Sequence, residues 1–194
     1  GTPLVSDPGY RLVRDVVEAG YQVVPIPGAS APLAGLVGSG LPSDAVLFSG
    51  FLPQKNGPKE SRLQELSGIP ATLILFESPR RLGATLATMA RIMGESRQAV
   101  VARELTKRFE TFERGTLTEL AELFRDNPPK GEIVILVAPP EAKNEARPED
   151  AEDLLRQALK EMPVSAAAKM VAKQTGLDRN QLYKQALELK SGGE

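Results

Sequence analysis

The period of the apolar residues in this chain switches repeatedly between two and 3.6, which confines it to folds that interleave strands with helices. Five short apolar runs read as strands: Tyr21 to Ile26, Ala45 to Ser49, Ala71 to Phe76, Gln98 to Ala102 and Glu132 to Ala138. Turn-forming stretches separate them from helical patterns, so an α/β class is expected. With 194 residues and 41% hydrophobic content, the chain can bury a substantial core.

The helices have recognisable starts and stops. Leu12, Val13, Val16 and Val17 form one stripe over Tyr10 to Ala19, with Asp7 as a cap, Pro8 in the first turn and Gly20 as the stop. Ser30 is placed to cap a small-residue helix through Val37. Leu41-Pro42-Ser43-Asp44 reads as a hinge into a second α/β unit, with a loop from Gly50 to Pro58 and helices at Lys59 to Leu66 and Pro79 to Met93. Thr116-Leu117-Thr118-Glu119 is a capping box for a helix through Phe124. Four segments are expected: 1–43, 44–138, a linker at 139–149 rich in Pro, Glu, Lys, Asn and Arg, and a helical segment at 150–194. In the last, Ser165 can cap Ala166 to Gln174, Gly176 can end that helix, and Asp178 with Gln181 starts another to about Leu189, a pair resembling a helix-turn-helix.

Cysteine and histidine are both absent, which removes disulfides, Cys/His metal sites, thiol nucleophiles and histidine acid-base catalysis together. The chemistries left rely on positioning, carboxylates, lysine, backbone amides or a cofactor that already carries the reactive group. No metal site is expected. No apolar run of about 18 residues is available for a membrane span, and no secretory leader is evident, so a cytoplasmic location is expected. A net charge of −1 means that any nucleic-acid contact must come from a local basic patch.

Ligands in α/β sheets bind where strand carboxyl ends meet helix amino ends, and four stretches fit. The first, Gly1 to Gly9, lacks the Gly-Lys-Ser/Thr ending of a phosphate loop and is no dinucleotide fingerprint. Its small residues admit a flat uncharged or zwitterionic ligand such as an adenosyl group, while a plain helix entry is the alternative. Pro27-Gly28-Ala29-Ser30 reads by itself as a strand-to-helix turn with a serine cap. Glu77-Ser78-Pro79-Arg80-Arg81 packs a carboxylate, a hydroxyl and two guanidinium groups into one junction, either as a site or as a structural Glu77–arginine pair. Arg103-Glu104-Leu105-Thr106-Lys107-Arg108 brings both charge signs to a strand end, with a solvated loop as its plain reading. Lys55, Lys59, Arg62, Arg80, Arg81, Lys107, Arg108 and Arg114 would form a phosphate-binding surface if they converged on one edge. In the terminal helices Lys169, Lys173, Arg179, Lys184 and Lys190 outnumber Asp178 and Glu188, which suits nucleic-acid contact or packing on a parent domain.

Six motifs in order carry a resemblance. They are Gly-Thr-Pro-x-x-Ser-Asp-Pro-Gly, Val-Val-Pro-Ile-Pro-Gly-Ala-Ser-Ala, Gly-Phe-Leu-Pro, Phe-Glu-Ser-Pro-Arg-Arg, Ala-Arg-Glu-Leu-Thr-Lys and Lys-Gly-Glu-Ile-Val. Together they closely resemble the ribosomal RNA small subunit methyltransferase I family of the tetrapyrrole methylase superfamily, over about residues 1 to 138. The tail is similar to that family's small C-terminal domain.

The resemblance implies S-adenosylmethionine-dependent transfer of methyl to the ribose 2′-hydroxyl of a cytidine in small-subunit (16S) ribosomal RNA. It also implies two α/β domains with the cofactor between them, usually in a homodimer. Residues 1–43 would be the remainder of an N-terminal cofactor domain and 44–138 the second domain. By matching motifs, Gly1, Thr2, Pro3, Ser30 and Ala31 would contact the cofactor from one side. Glu77, Ser78, Arg103, Glu104, Leu105, Thr106, Gly131 and Glu132 would approach it from the other. Glu104, Glu77 and Lys107 are the candidate proton acceptors, and Lys55, Lys59, Arg80, Arg81, Lys107 and Arg108 the candidate RNA contacts. The family's opening strand, with Ala-Thr-Pro-Ile-Gly-Asn-Leu, has no counterpart here. The chain is therefore expected to be the later part of a longer protein that binds cofactor poorly alone. A tetrapyrrole or corrinoid methyltransferase and a non-catalytic RNA-binding fragment are the rival readings.

Overall fold

The computed structural model describes residues 2–140, 148–175 and 177–191, so Gly1, Gly176 and positions 141–147 of the expected linker lie outside the described residues. The chain divides into two compact units, Gly1–Pro140 and Glu141–Glu194.

The first unit is built on a five-stranded sheet of β1 (Val46–Phe51), β2 (Thr72–Glu77), β3 (Gln98–Arg103), β4 (Thr111–Thr116) and β5 (Ile133–Val137), in the order β1-β2-β5-β3-β4. Only β1 and β2 run parallel; β5 is antiparallel to both β2 and β3, and β3 to β4. Alternate side chains of the central strands point to opposite faces, and each face has its own core. Leu73, Leu75, Ile133, Ile135 and Val137 meet α3 (Asn56–Ser67), α4 (Leu82–Met93) and α5 (Leu117–Leu123) through Leu63, Leu66, Leu86, Met89 and Leu120. Ile74, Val100, Ala102, Val134 and Leu136 face α2 (Ala31–Ser39) through Ala34 and Leu36.

Where the signal is local, expectation and structure coincide. The Thr116 hydroxyl accepts from the Glu119 N–H at 3.2 Å while the Glu119 carboxylate accepts from the Thr116 N–H at 2.8 Å, a complete capping box.

Four expectations are corrected. Tyr21 to Ile26 forms no strand: Tyr21, Val23, Val24 and Ile26 are exposed, and neither sheet edge supplies a ladder for them. Helix α1 (Tyr10–Glu18) begins after Gly9, two residues past Asp7, so Asp7 does not cap it, and its apolar stripe buries no residue. Ser30 is the N-cap of α2, yet its hydroxyl makes no capping bond. Ser165 lies inside a helix rather than before it. The polar segment Thr111 to Thr116, which carries no strand signal of its own, is the edge strand β4.

The second unit holds α6 (Pro148–Ala158), α7 (Val164–Thr175) and α8 (Arg179–Ser191), so 148 and 149 belong to a helix rather than to a linker. Ala151, Leu155, Ala168, Val171, Leu182 and Ala186 form its core. Asp178 caps α8 by accepting from the N–H groups of Asn180 and Gln181, each at 2.9 Å. No helix among the described residues is long and apolar enough to cross a membrane, and no group of His, Cys, Asp or Glu among them could hold a metal ion.

Candidate functional site

The carboxyl ends of β1 and β2 and the amino end of β5 open onto a cleft of about 390 Å³. The turn Glu77-Ser78-Pro79 and the segment Gly131 to Val134 form two of its sides; Ser6 and Ala31 reach it from the N-terminal segment. Phe51 and Phe76 supply an aromatic wall, with ring centroids 5.5 Å apart, backed by Phe48 at 5.1 Å from Phe76. Such a mainly apolar hollow with a few polar groups at its rim suits a small organic ligand.

Two glycines let the walls close up. Gly50 sits at a bulge of β1 with φ +64°, and a Cβ there would lie 2.9 Å from the Ser6 hydroxyl. Gly131, at φ +97°, faces the carboxylate of Glu104 so closely that a side chain there would have to displace it. The opening loop is also fastened to the second one: the Thr2 N–H and hydroxyl both donate to the Ala29 carbonyl, at 2.8 and 3.0 Å. Thr2, Ser30 and Ala31 share a smaller hollow of about 160 Å³, and Ala31 lines both.

Glu77 is a buried carboxylate with every bond made inside the protein. Oε1 accepts from the Ser78 N–H at 2.7 Å, and Oε2 from the Thr85 hydroxyl at 2.7 Å and the Arg81 guanidinium at 3.1 Å. Arg81 also donates to the Leu52 carbonyl at 3.2 Å, which ties the end of β1 to the turn after β2. The structural Glu77–arginine pairing considered from sequence is thus present.

The turn after β3 is held by a second carboxylate. The Glu104 N–H donates to the Glu132 carbonyl at 3.0 Å, and Glu104 Oε1 accepts the Glu132 N–H at 2.9 Å. Lys107 Nζ bridges Glu104 Oε1 and Glu132 Oε2, at 3.0 Å each. The Glu132 N–H and then the Lys107 ammonium hold the Glu104 carboxyl below the usual carboxylate range. The carboxylates of Glu132 and Glu104 in turn push the Lys107 ammonium up, keeping it charged at neutral pH. Glu104 and Thr106 adopt φ of +51° and +63°, a conformation seldom taken by residues other than glycine. Leu105 between them is buried in the core beneath. Arg103 donates to the Thr111 hydroxyl and to the Lys130 carbonyl, both at 3.2 Å, steadying the segment that leads into Gly131.

Of the residues singled out from sequence, Ala31, Glu77, Ser78, Gly131 and Glu132 line the main cleft, and Thr2 and Ser30 the adjoining hollow. Arg103, Glu104, Leu105, Thr106 and Lys107 stand behind Gly131 and Glu132. Pro3 is exposed at the surface. Ser6, Phe51 and Phe76 were not singled out as site residues, although all three fall within quoted motifs. The basic residues do not all serve one surface. Lys59 is buried, Arg62 binds Glu65 and Ser49, and Arg81 and Lys107 are paired with carboxylates. Arg114 donates to the Ser39 and Gly38 carbonyls at the end of α2, a structural C-cap. Lys55, Arg80 and Arg108 are exposed.

The model for Tetrapyrrole (Corrin/Porphyrin) Methylases matches residues 1–121, and that for the RsmI C-terminal HTH domain matches residues 145–190. Fold and site thus define a tetrapyrrole methylase-like protein with a helical C-terminal domain. Among solved structures, the methyltransferase CobJ has the same fold, with a TM-score of 0.55 and 18% identity over 72% of this chain and 62% of that one. Ribosomal RNA small subunit methyltransferase I of Mesorhizobium japonicum is 54% identical over 98% of this chain and 65% of its own length. The Synechocystis protein of the same name is 44% identical over 100% of this chain and 70% of its own. The chain belongs to the ribosomal RNA small subunit methyltransferase I family, and spans about two thirds of the length of these relatives.

Proposed function

We propose that this chain is the larger part of an S-adenosylmethionine-dependent enzyme that methylates the ribose 2′-hydroxyl of a cytidine in small-subunit ribosomal RNA. The observation that carries the proposal is the cleft beside Phe51, Phe76 and Gly131, combined with family membership. The residues fit such a cofactor: an aromatic wall suits its adenine, and Ser6, Ser78 and Glu132 place polar groups around it. When bound, it supplies a methyl group activated by a sulfonium, for which the protein needs neither histidine nor metal.

The chain's own residues then bind, orient and shield. Thr2, Ser30 and Ala31 hold one side, joined by Ser6, and Ser78, Gly131 and Glu132 the other. Arg103 and Glu104 keep Gly131 and Glu132 in place, while Leu105 and Thr106 set the turn that carries Glu104. Of the three candidate proton acceptors, we favour Glu104, which stands behind Gly131 and Glu132, for the oxygen it has left over. Its two side-chain bonds both end on Oε1, which leaves Oε2 to accept, whereas Lys107 is held as the ammonium and both Glu77 oxygens are engaged. Lys55, Arg80 and Arg108 are the proposed phosphate contacts. Residues 1–43 and 44–138 are proposed as two parts of the methylase and 150–194 as an accessory RNA-contacting domain. Homodimer formation and a cytoplasmic location complete the proposal; the exposed Leu12, Val17, Val24 and Ile26 offer apolar surface for association.

The test is to extend the chain to the full length of its relatives, load it with S-adenosylmethionine carrying a labelled methyl, and offer small-subunit particles and their free RNA. Label in an alkali-resistant cytidine dinucleotide is expected. Cofactor binding without RNA methylation would favour a tetrapyrrole or corrinoid substrate, and RNA binding without cofactor a non-catalytic module.

A further inference from the structure

Phe109 lies in the loop joining β3 to β4 with 61% of its surface exposed. A benzene ring left in water this way forgoes the burial that normally stabilises phenylalanine, by about 2 kcal/mol. The loop is not slack. The Lys107 N–H donates to the Glu104 carbonyl at 3.0 Å and the Glu110 N–H to the Lys107 carbonyl at 3.2 Å. The Glu110 carboxylate folds back to accept the Thr106 N–H at 2.7 Å, and the loop's other acid, Glu104, is bonded to Lys107 and the Glu132 N–H. Leu105 anchors the turn in the core, and left-handed Glu104 and Thr106 set its path. A turn so closely determined presents Phe109 outward as part of its shape.

One face of the ring is already occupied. The Arg108 guanidinium carbon stands 5.6 Å from the ring centroid, a cation–π arrangement that steadies both side chains. The ring's 61% exposure leaves room for a second flat group. Lys107, two residues away, is bonded to Glu132 on the wall of the cleft. Ring and cleft wall are therefore joined by one short, hydrogen-bonded path. Phe109 is flanked in sequence by Lys107, Arg108 and Glu110 rather than by apolar neighbours, which differs from the contiguous apolar core of a protein interface. Aromatic rings beside cations are the usual platform for unpaired bases.

We infer that Phe109, braced by Arg108, stacks on an unpaired base of the RNA substrate and so positions the nucleotide presented to the cleft. This rests on the RNA-methyltransferase reading above. Phe109 is a positioning residue here, and Arg108 adds a phosphate or base contact beside it.

The experiment uses the chain extended to full length and a short single-stranded RNA with 2-aminopurine beside a cytidine. Fluorescence reports stacking directly, and calorimetry with S-adenosylmethionine reports the cofactor site. Phe109→Ala is expected to weaken RNA binding roughly tenfold and to abolish the quench that stacking causes, with cofactor affinity unchanged. Phe109→Leu keeps apolar bulk and should lose the quench, while Phe109→Trp should restore it. Wild-type quench and affinity in the alanine and leucine variants would overturn the platform alone. A change in sedimentation without a change in RNA binding would assign Phe109 to a protein interface and overturn it too. Failure of the unaltered protein to bind RNA would instead remove the RNA-substrate reading, and the platform with it.

Discussion

The carboxylate of Glu104 fills the space that a side chain at Gly131 would need, and the two residues close the wall of the cleft between them. Gly131 holds a φ of +97°, so an L-residue there meets backbone strain as well as the carboxylate. Gly131→Ala is expected to destabilise the first unit by about 2 kcal/mol and to weaken cofactor binding more than tenfold. Urea unfolding and calorimetric titration check both. Retained affinity with lowered stability would separate Gly131 from the site.

Glu104 and Lys107 give this wall two opposite pH limits. The Glu104 carboxyl is depressed in the folded state, so its contribution is complete above the ordinary carboxylate range and is lost as pH falls through its folded value. The Lys107 ammonium is raised, so its contribution is complete below the ordinary lysine value and is lost as pH rises through its folded value. Between those limits the bridge is insensitive to pH. Lys107→Met should therefore move the Glu104 carboxyl upward, read by carbon-13 titration of the glutamates, without carrying it to the ordinary value, because the Glu132 N–H remains. An unmoved Glu104 would mean that the ammonium does not influence it.

Glu77 is predicted to matter for stability more than for proton transfer. Glu77→Ala leaves the Arg81 guanidinium, the Thr85 hydroxyl and the Ser78 N–H without their shared acceptor, at a cost of about 3 kcal/mol. Glu77→Gln keeps one acceptor oxygen and should recover a good part of that loss. Denaturant midpoints order the three proteins. Equal stability in all three would show that water replaces the carboxylate.

What the sequence disclosed followed the range of each interaction. The Thr116–Glu119 box and the Asp178 cap close within three residues, and both were legible. β2, β3 and β5 were legible because both of their faces are buried, leaving continuous apolar runs. β4 was not, since an edge strand needs apolar residues on neither face throughout, and Thr111 to Thr116 carries two charges. The run from Tyr21 to Ile26 misled for the converse reason: strand composition does not supply a neighbouring strand. Arg114 illustrates the same limit at the site, its carbonyl partners lying 75 and 76 residues away. Motif order brought Ala31, Glu77 and Gly131 to notice, but the reason Gly131 must be glycine lies in Glu104, and only folding brings that carboxylate to it.

Gly83 and Gly57 should respond to alanine with opposite signs. Both lie in helices, where alanine is intrinsically favoured over glycine by up to about 1 kcal/mol. At Gly57, in the first turn of α3, a Cβ would meet nothing within 4 Å, so Gly57→Ala is expected to stabilise slightly, by about 0.5 kcal/mol. At Gly83, in the first turn of α4, the same carbon would stand 2.5 Å from the Phe124 carbonyl oxygen and 3.2 Å from the Arg125 Cα, both backbone atoms at the end of α5. Backbone cannot swing aside as a long side chain can, so α4 and α5 would have to separate, disturbing Leu86 and Leu120 in the core they share. Overpacking of this kind costs about 1–3 kcal/mol, which outweighs the helical gain. Thermal unfolding of the two variants beside the parent decides the matter. A stabilised Gly83→Ala would mean that the α4–α5 contact yields more readily than its close packing implies.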